Sequence, residues 1–205
     1  MKKIFILVSV SILSLGLAEA QKIELTAFTG YSFNSQINTY YGKFQVQDSP
    51  NYGGILGFAI SSEIFVEIMY NRTDTRVDYY YISDFQPLDI STEFYQVGGQ
   101  KQFGEGVLKP FAAVSLGMIR FNLKESGTEL SKGDAFRFAP TIGGGVKIMP
   151  GERIGIRLQA RLGMPMELNG LFVGVGTGGA STGVSFRIPL VQFDLSAGLI
   201  IRLGS

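Results

Sequence analysis

Arginines recur every four residues at Arg153, Arg157 and Arg161, and glutamates do the same at Glu63 and Glu67. On an extended chain a spacing of four keeps each set on one face. Such rows can pair with each other or line a path for anions. They cannot support the commoner catalytic constellations here, because the chain has no His and no Cys. That removes Ser-His and Cys-His nucleophile pairs, imidazole and thiolate metal sites, disulfides and a lipid-modified Cys. Only a carboxylate mechanism would survive, and no paired carboxylates stand out. The chain is therefore expected not to be an enzyme, with no catalytic residue, no cofactor and no metal.

Other groupings have plain readings. Asp74, Asp78, Asp84 and Asp89 gather in one polar stretch. Their spacing matches no calcium loop, so a solvated acidic loop is the better reading. Gly174 to Gly179 lacks the Lys and the helix that a phosphate loop needs. The uncharged run Leu168 to Phe186 holds GxxxG spacings, but Gly and hydroxyl residues dilute it. A Gly-rich loop or hairpin extension suits it better than a helix. Tyr40, Tyr41, Tyr79, Tyr80 and Tyr81 adjoin polar links, as interfacial aromatics or as a surface for protein or glycan. Asn71-Arg72-Thr73 is a formal glycosylation sequon to which no role is given.

The elements that position these residues follow from a period of two. Ile154, Ile156, Leu158, Ala160 and Leu162 share one face, and Arg153, Gly155, Arg157, Gln159 and Arg161 the other. On a helix the two sets would mix. Val191 to Leu203, Ile23 to Tyr31 and Ile64 to Asn71 alternate likewise. Tyr52 to Ile60, Glu93 to Phe103, Pro110 to Phe121 and Phe136 to Met149 add four strands with one small or polar face. That face carries Gly53 and Gly57, Gln96, Gly98 and Gln100, Ser115 and Gly117, and Gly143 and Gly145. Eight strands result.

Their links alternate. Ser61-Ser62, Gly104 to Gly106 and Pro150 to Glu152 are tight turns. Asn34 to Asn51, Thr75 to Asp89, Asn122 to Ala135 and Gly163 to Thr182 are long and polar. This alternation fits an antiparallel up-and-down barrel that spans a membrane. An eight-stranded barrel has an interior only wide enough for side chains.

The first twenty residues read as an address. Lys2 and Lys3 precede an apolar run from Ile4 to Leu17, and Ala18-Glu19-Ala20 is a small-x-small site. Fourteen apolar residues are too few to span a bilayer. A secretory signal cleaved after Ala20 is expected, leaving Gln21 first and residues 21–205 as one all-β domain. Balanced charge, 18 basic against 17 acidic residues, argues against nucleic acid as a partner. Residues 21–135 carry four excess acidic groups and residues 136–205 four excess basic ones. In a closed barrel these halves face each other.

The signal end, Lys109-Pro110-Phe111-Ala112-Ala113, Thr141 to Lys147, and Phe193 to Leu199 together resemble the small eight-stranded outer-membrane β-barrel proteins of Gram-negative bacteria. These include the OmpA- and OmpX-like barrels and the porin-family barrels of Bacteroidetes type. The resemblance spans residues 21–205. It implies a monomeric eight-stranded transmembrane β-barrel in the outer membrane, with lipid and the barrel assembly machinery as partners. It also implies long loops that could meet an extracellular protein or glycan. The chain departs from the pattern at its end, Arg202-Leu203-Gly204-Ser205, where such barrels carry an aromatic residue.

Two arrangements follow from parity and height. Glu24, near the start of the first strand, and Arg202, near the end of the last, are expected side by side inside the rim where the barrel closes. Glu67 and Arg157, on the third and seventh strands, are expected to meet across the lumen. Arg161 and Asp194 lie higher on adjacent strands, with Gln96, Gln100 and Gln159 as bridges. The lumen is then a plug of side chains in a structural or surface-interaction protein. A porin-like small-solute channel and a soluble periplasmic barrel for an apolar ligand are the alternatives.

Overall fold

The computed structural model describes residues 22–34, 37–39, 42–81, 84–123, 134–176, 179–187 and 191–204. The expected signal segment, its cleavage residues Ala18, Ala20 and Gln21, and Tyr40 and Tyr41 lie outside them. Thirteen strands appear among the described residues: β1 Ile23–Asn34, β2 Ile37–Thr39, β3 Gly42–Val46, β4 Ser49–Ala59, β5 Ile64–Tyr81, β6 Asp84–Gln102, β7 Leu108–Leu123, β8 Asp134–Phe138, β9 Thr141–Ile148, β10 Ile154–Gly163, β11 Glu167–Gly176, β12 Gly179–Arg187 and β13 Gln192–Leu203.

Eight of these close a ring in chain order. β1, β4, β5, β6, β7, β9, β10 and β13 each pair antiparallel with the next, and β13 returns to β1. Closure leaves the eight-stranded ring itself without an edge strand. Tracing paired residues once around the wall leads from Leu203 through Ile23, Phe58, Val66, Gly99, Val114, Ile142 and Leu162 to Phe193. The path returns to the same strand ten residues higher. Ten residues of rise, about 3.3 Å each, against eight spacings of about 4.8 Å tilt the strands by about 40°. One circuit therefore climbs about 25 Å, and the backbone cylinder is about 16 Å across.

The remaining strands extend the ring at its long-loop end. β2 and β3 lie on β5, β8 lies on β7, and β11 pairs with β12 in a separate hairpin. Three sequence expectations are corrected here. The link Thr75 to Asp89 is largely strand, because β5 and β6 stay in register up to Tyr81 and Asp84. The link Asn34 to Asn51 likewise contains β2 and β3. The strand expected over Phe136 to Met149 is two strands, broken at Ala139-Pro140. Pro140 has no N–H to give the ladder. The Ala139 N–H donates to the Gly117 carbonyl at 2.9 Å, and the Pro140 carbonyl accepts from Met164 N at 3.0 Å. The run Leu168 to Phe186 forms the β11–β12 hairpin, with no helix. At the short-turn end Gly104 takes a left-handed φ of 84° between β6 and β7, open to Gly without strain.

The barrel is apolar outside and polar inside. Leu25, Ile68, Val97, Val114, Leu116, Ile142, Ile154, Ile156, Leu158, Leu195, Leu199 and Ile201 all expose their side chains on the outer wall. Glu24, Asn51, Asn71, Gln96, Gln100, Lys147, Arg157, Gln159 and Asp194 are buried. The only buried apolar groupings among the described residues are small: Phe28 with Ile55 and Met69, and Phe94 with Ile119 and Ala139.

Candidate functional site: the lumen

The contacts among the inward residues of the eight ring strands fall into four groups, taken as levels from the short-turn end to the long-loop end. At the short-turn rim Glu24 on β1 pairs in register with Arg202 on β13. Arg202 donates from Nη2 at 2.5 Å and from Nε at 3.2 Å to Glu24 Oε1. The other carboxylate oxygen accepts from Lys147 Nζ at 2.5 Å. Lys147 is completely buried, and its ammonium lies 4.4 Å from the centre of the Phe65 ring. An aromatic face and a carboxylate together replace its hydration.

The second level spans the bore. Arg157 on β10 and Glu67 on β5 stand on opposite sides of the ring. Arg157 donates Nη1 to Glu67 Oε1 at 2.6 Å and Nη2 to Oε2 at 3.0 Å, in a fork-to-fork pair. Its Nε donates to Gln159 at 2.8 Å, and its guanidinium lies 4.4 Å from the Phe111 ring centre. Gln159 passes the network to Ser196 at 3.0 Å. Arms from both walls meet at the axis because the cylinder is only about 16 Å wide.

At the third level Arg161 donates to the Gln96 side-chain oxygen and to the Met69 sulfur. Gln96 also donates to the Ala139 carbonyl at 3.1 Å and to Thr141 Oγ1. The fourth level lies near the long-loop end. Asp194 there accepts from Ser32 Oγ at 2.6 Å, Gln192 Nε2 at 2.9 Å and Asn71 Nδ2 at 3.3 Å. Asn51 donates to Ser32 at 2.8 Å. Between the middle levels a cavity of about 20 Å³ is lined by Glu67, Met69, Gln96, Phe111, Arg157 and Arg161. That holds about one water molecule.

The structure thus brings Glu24 to Arg202, Glu67 to Arg157, Arg157 to Gln159 and Arg161 to Gln96. Two parts of the expected network differ. Arg161 and Asp194 are opposite in register, but their side chains part: Arg161 reaches across to β6, and Asp194 is held by hydroxyl and amide donors from β1, β5 and β13. Gln100 is not a bridge, since neither its oxygen nor its nitrogen has a partner. In register it stands between Phe65 on β5 and Ala113 on β7. Lys147 was not foreseen. Its signal lay in the chain all along, because it shares parity with Gly143 and Gly145.

Glycine on the inner face makes the room. A Cβ at Gly143 would meet the Arg161 stem at 2.9 Å, so Gly lets that side chain lie flat against the wall. Outside the lumen, two acidic residues of the second long link hold arginines, while the side chains of Asp78 and Asp84 lie outside the described residues. Asp74 pairs with Arg72 at 3.0 Å and Asp89 with Arg76 at 3.1 Å. Tyr79, Tyr80 and Tyr81 belong to β5 in register with Gln86, Phe85 and Asp84; their side chains lie outside the described residues. Asn71 of the sequon faces the lumen and is buried.

No family model matches the sequence, and no curated protein matches it. The fold has clear counterparts among solved structures. Neisserial surface protein A is similar over 88% of this chain and 97% of its own, with a TM-score of 0.61 and 14% identity. The outer membrane protein OprG from Pseudomonas aeruginosa is similar over 91% and 97%, with a TM-score of 0.60 and 13% identity. Ail, the attachment invasion locus protein of Yersinia pestis, solved with the heparin analogue sucrose octasulfate, covers 90% and 100%, with a TM-score of 0.50 and 9% identity. At these identities the likeness establishes the fold: a closed antiparallel eight-stranded β-barrel of the kind those proteins form.

Proposed function

We propose that this chain is a non-enzymatic outer-membrane β-barrel protein whose lumen is closed by its own side chains, acting as a structural or surface-interaction protein. The observation that carries the reading is the inside-out wall. A barrel in water would expose its polar face, whereas here charged groups are buried and rows of Leu, Ile and Val are exposed. An apolar solvent satisfies both faces at once. A ring strand of 10 residues such as β10, tilted by about 40°, spans about 25 Å along the axis, which matches the apolar band of such barrels. The tight turns then lie on the periplasmic side and the β2–β3, β5–β6 and β11–β12 extensions outside. The basic-apolar-small start of the chain supports export past the inner membrane, with assembly by the barrel machinery and a monomer as the working state.

The plug rests on the paired levels and the cavity of about 20 Å³. A conducting bore would need a continuous path, and Arg157 with Glu67 closes it at the axis. Fractionation and liposome swelling test both parts. The protein is expected in the outer-membrane fraction, resistant to carbonate extraction, and without swelling in small sugars. Recovery from the soluble periplasm without detergent would sink the membrane placement. Swelling by the wild-type barrel would sink the plug and favour a small-solute channel.

A further inference from the structure

One outward-facing polar cluster is not part of the lumen. Above the rung Tyr70–Tyr95 on the outer wall, the next outward rung is Arg72 opposite Glu93, and Glu93 is in turn opposite Arg120 on β7. Tyr52 and Phe136 flank this row in register on β4 and β8. The row lies about 25–30 Å above the short-turn rim, just past the apolar band. At the corresponding level β1 and β13 present Phe33 and Phe193, with no charge.

Glu93 is buried beneath the row and accepts four donors: Tyr70 OH at 3.3 Å, Arg72 Nη1 at 3.1 Å, Tyr95 OH at 2.9 Å and Arg120 Nη1 at 3.4 Å. Arg72 is held a second time by Asp74, through Nη2 at 3.0 Å and Nε at 3.3 Å. Arg120 lies 6.0 Å from the Phe136 ring centre. Both guanidiniums are therefore fixed against the wall, yet each keeps close to a third of its side-chain surface open, 29% and 31%. Arg72 already gives its Nε–Nη2 edge to Asp74, so an oxyanion would meet the open edge of its guanidinium. With Arg120 on the far side of Glu93, two fixed guanidiniums suit an oxyanion better than flexible lysines would. A carboxylate that holds two arginines at headgroup depth also lowers the ordering cost of binding.

We propose that Arg72 and Arg120, positioned by Glu93, form a docking site on the outer wall for a phosphorylated headgroup of the outer leaflet. The tyrosine ring below would lie along that lipid's upper acyl chains. The inference rests on the membrane placement above. Asp74 opposes the anion, so its removal should strengthen binding.

The test uses the full barrel in detergent micelles, titrated with bisphosphorylated lipid A and with its dephosphorylated form, bound lipid being counted by native mass spectrometry. Wild type should retain the phosphorylated form about tenfold better, and R72Q/R120Q should lose most of that preference. Asp74→Asn should raise it, and Arg76→Gln, in the exposed pair further out, should leave it unchanged. If the double variant fails to fold, Arg72→Lys keeps the charge without the fork and should still lower the preference severalfold. Equal retention of both lipids by wild type overturns the site. So does an undiminished preference in R72Q/R120Q or, where that does not fold, in Arg72→Lys. Displacement of the phosphorylated lipid by excess inorganic phosphate would mean a soluble anion is read instead, and would overturn the lipid assignment. A barrel that does not enter micelles or bilayers at all would refute the membrane placement rather than the site.

Discussion

Replacing Glu67 by Ala removes the carboxylate that takes both Nη atoms of Arg157. Arg157 is 3% exposed, so its charge would be left inside the wall. Breaking one side of a buried pair costs about 3–5 kcal/mol. Arg157 keeps Gln159 on its Nε and the Phe111 face beneath its guanidinium. The cost should therefore fall at the low end, about 3 kcal/mol, or roughly a hundredfold in the unfolding constant. Urea unfolding of the barrel in lipid vesicles, followed by the gel-mobility shift between folded and unfolded forms, reads this directly. The double replacement of Glu67 and Arg157 by Met should recover most of the loss, because no charge is then stranded. The same Glu67→Ala barrel should also show raised conductance in a planar bilayer, since its axial closure is gone. A variant within about 1 kcal/mol of wild type and equally closed would refute the claim that this pair plugs the bore, and the arginine row would have to be read as a solute path.

The rim and the glycine face give two further expectations. Glu24→Ala strands Lys147 and should cost about 3–5 kcal/mol, whereas Lys147→Met leaves Glu24 with Arg202 and should cost less than half as much; the order of the two urea midpoints checks it. At Gly145 a Cβ would overlap the Leu158 carbonyl oxygen and lie 2.8 Å from Gln159 Cα, so Gly145→Ala should lose about 1–3 kcal/mol. Gly99→Ala, on the open outer wall where a Cβ meets nothing within 4 Å, should be neutral or slightly stabilising in the same assay.

Much of the fold was legible because a closed barrel is written in two periodic signals. The alternation along Ile154 to Leu162 assigns each side chain to a face, and the alternation of short and long links orders the strands around the ring. Counting up from the tight turns then gave heights, which is why Glu67 and Arg157 could be matched across the bore. The count fails where the strand tilt matters. Each step around the wall climbs, so residues equally far from their turns on different strands are not level. Register also does not fix where a long side chain goes: Asp194 is the register partner of Arg161, but the Arg161 side chain crosses to Gln96 on β6. Lys147 was hidden for a different reason. It closes the stretch Gly143-Gly144-Gly145-Val146-Lys147, whose small residues mask the one long side chain among them. Pro140 was a local breaker inside an otherwise periodic stretch, and its carbonyl and the neighbouring Ala139 N–H find partners outside the ring ladder. The outer-wall arginines needed both kinds of information at once. Parity alone puts Arg72 and Arg120 on the apolar face, where they look misplaced. Only the register that sets them beyond the tyrosine rung shows that they stand at the edge of the apolar band rather than within it.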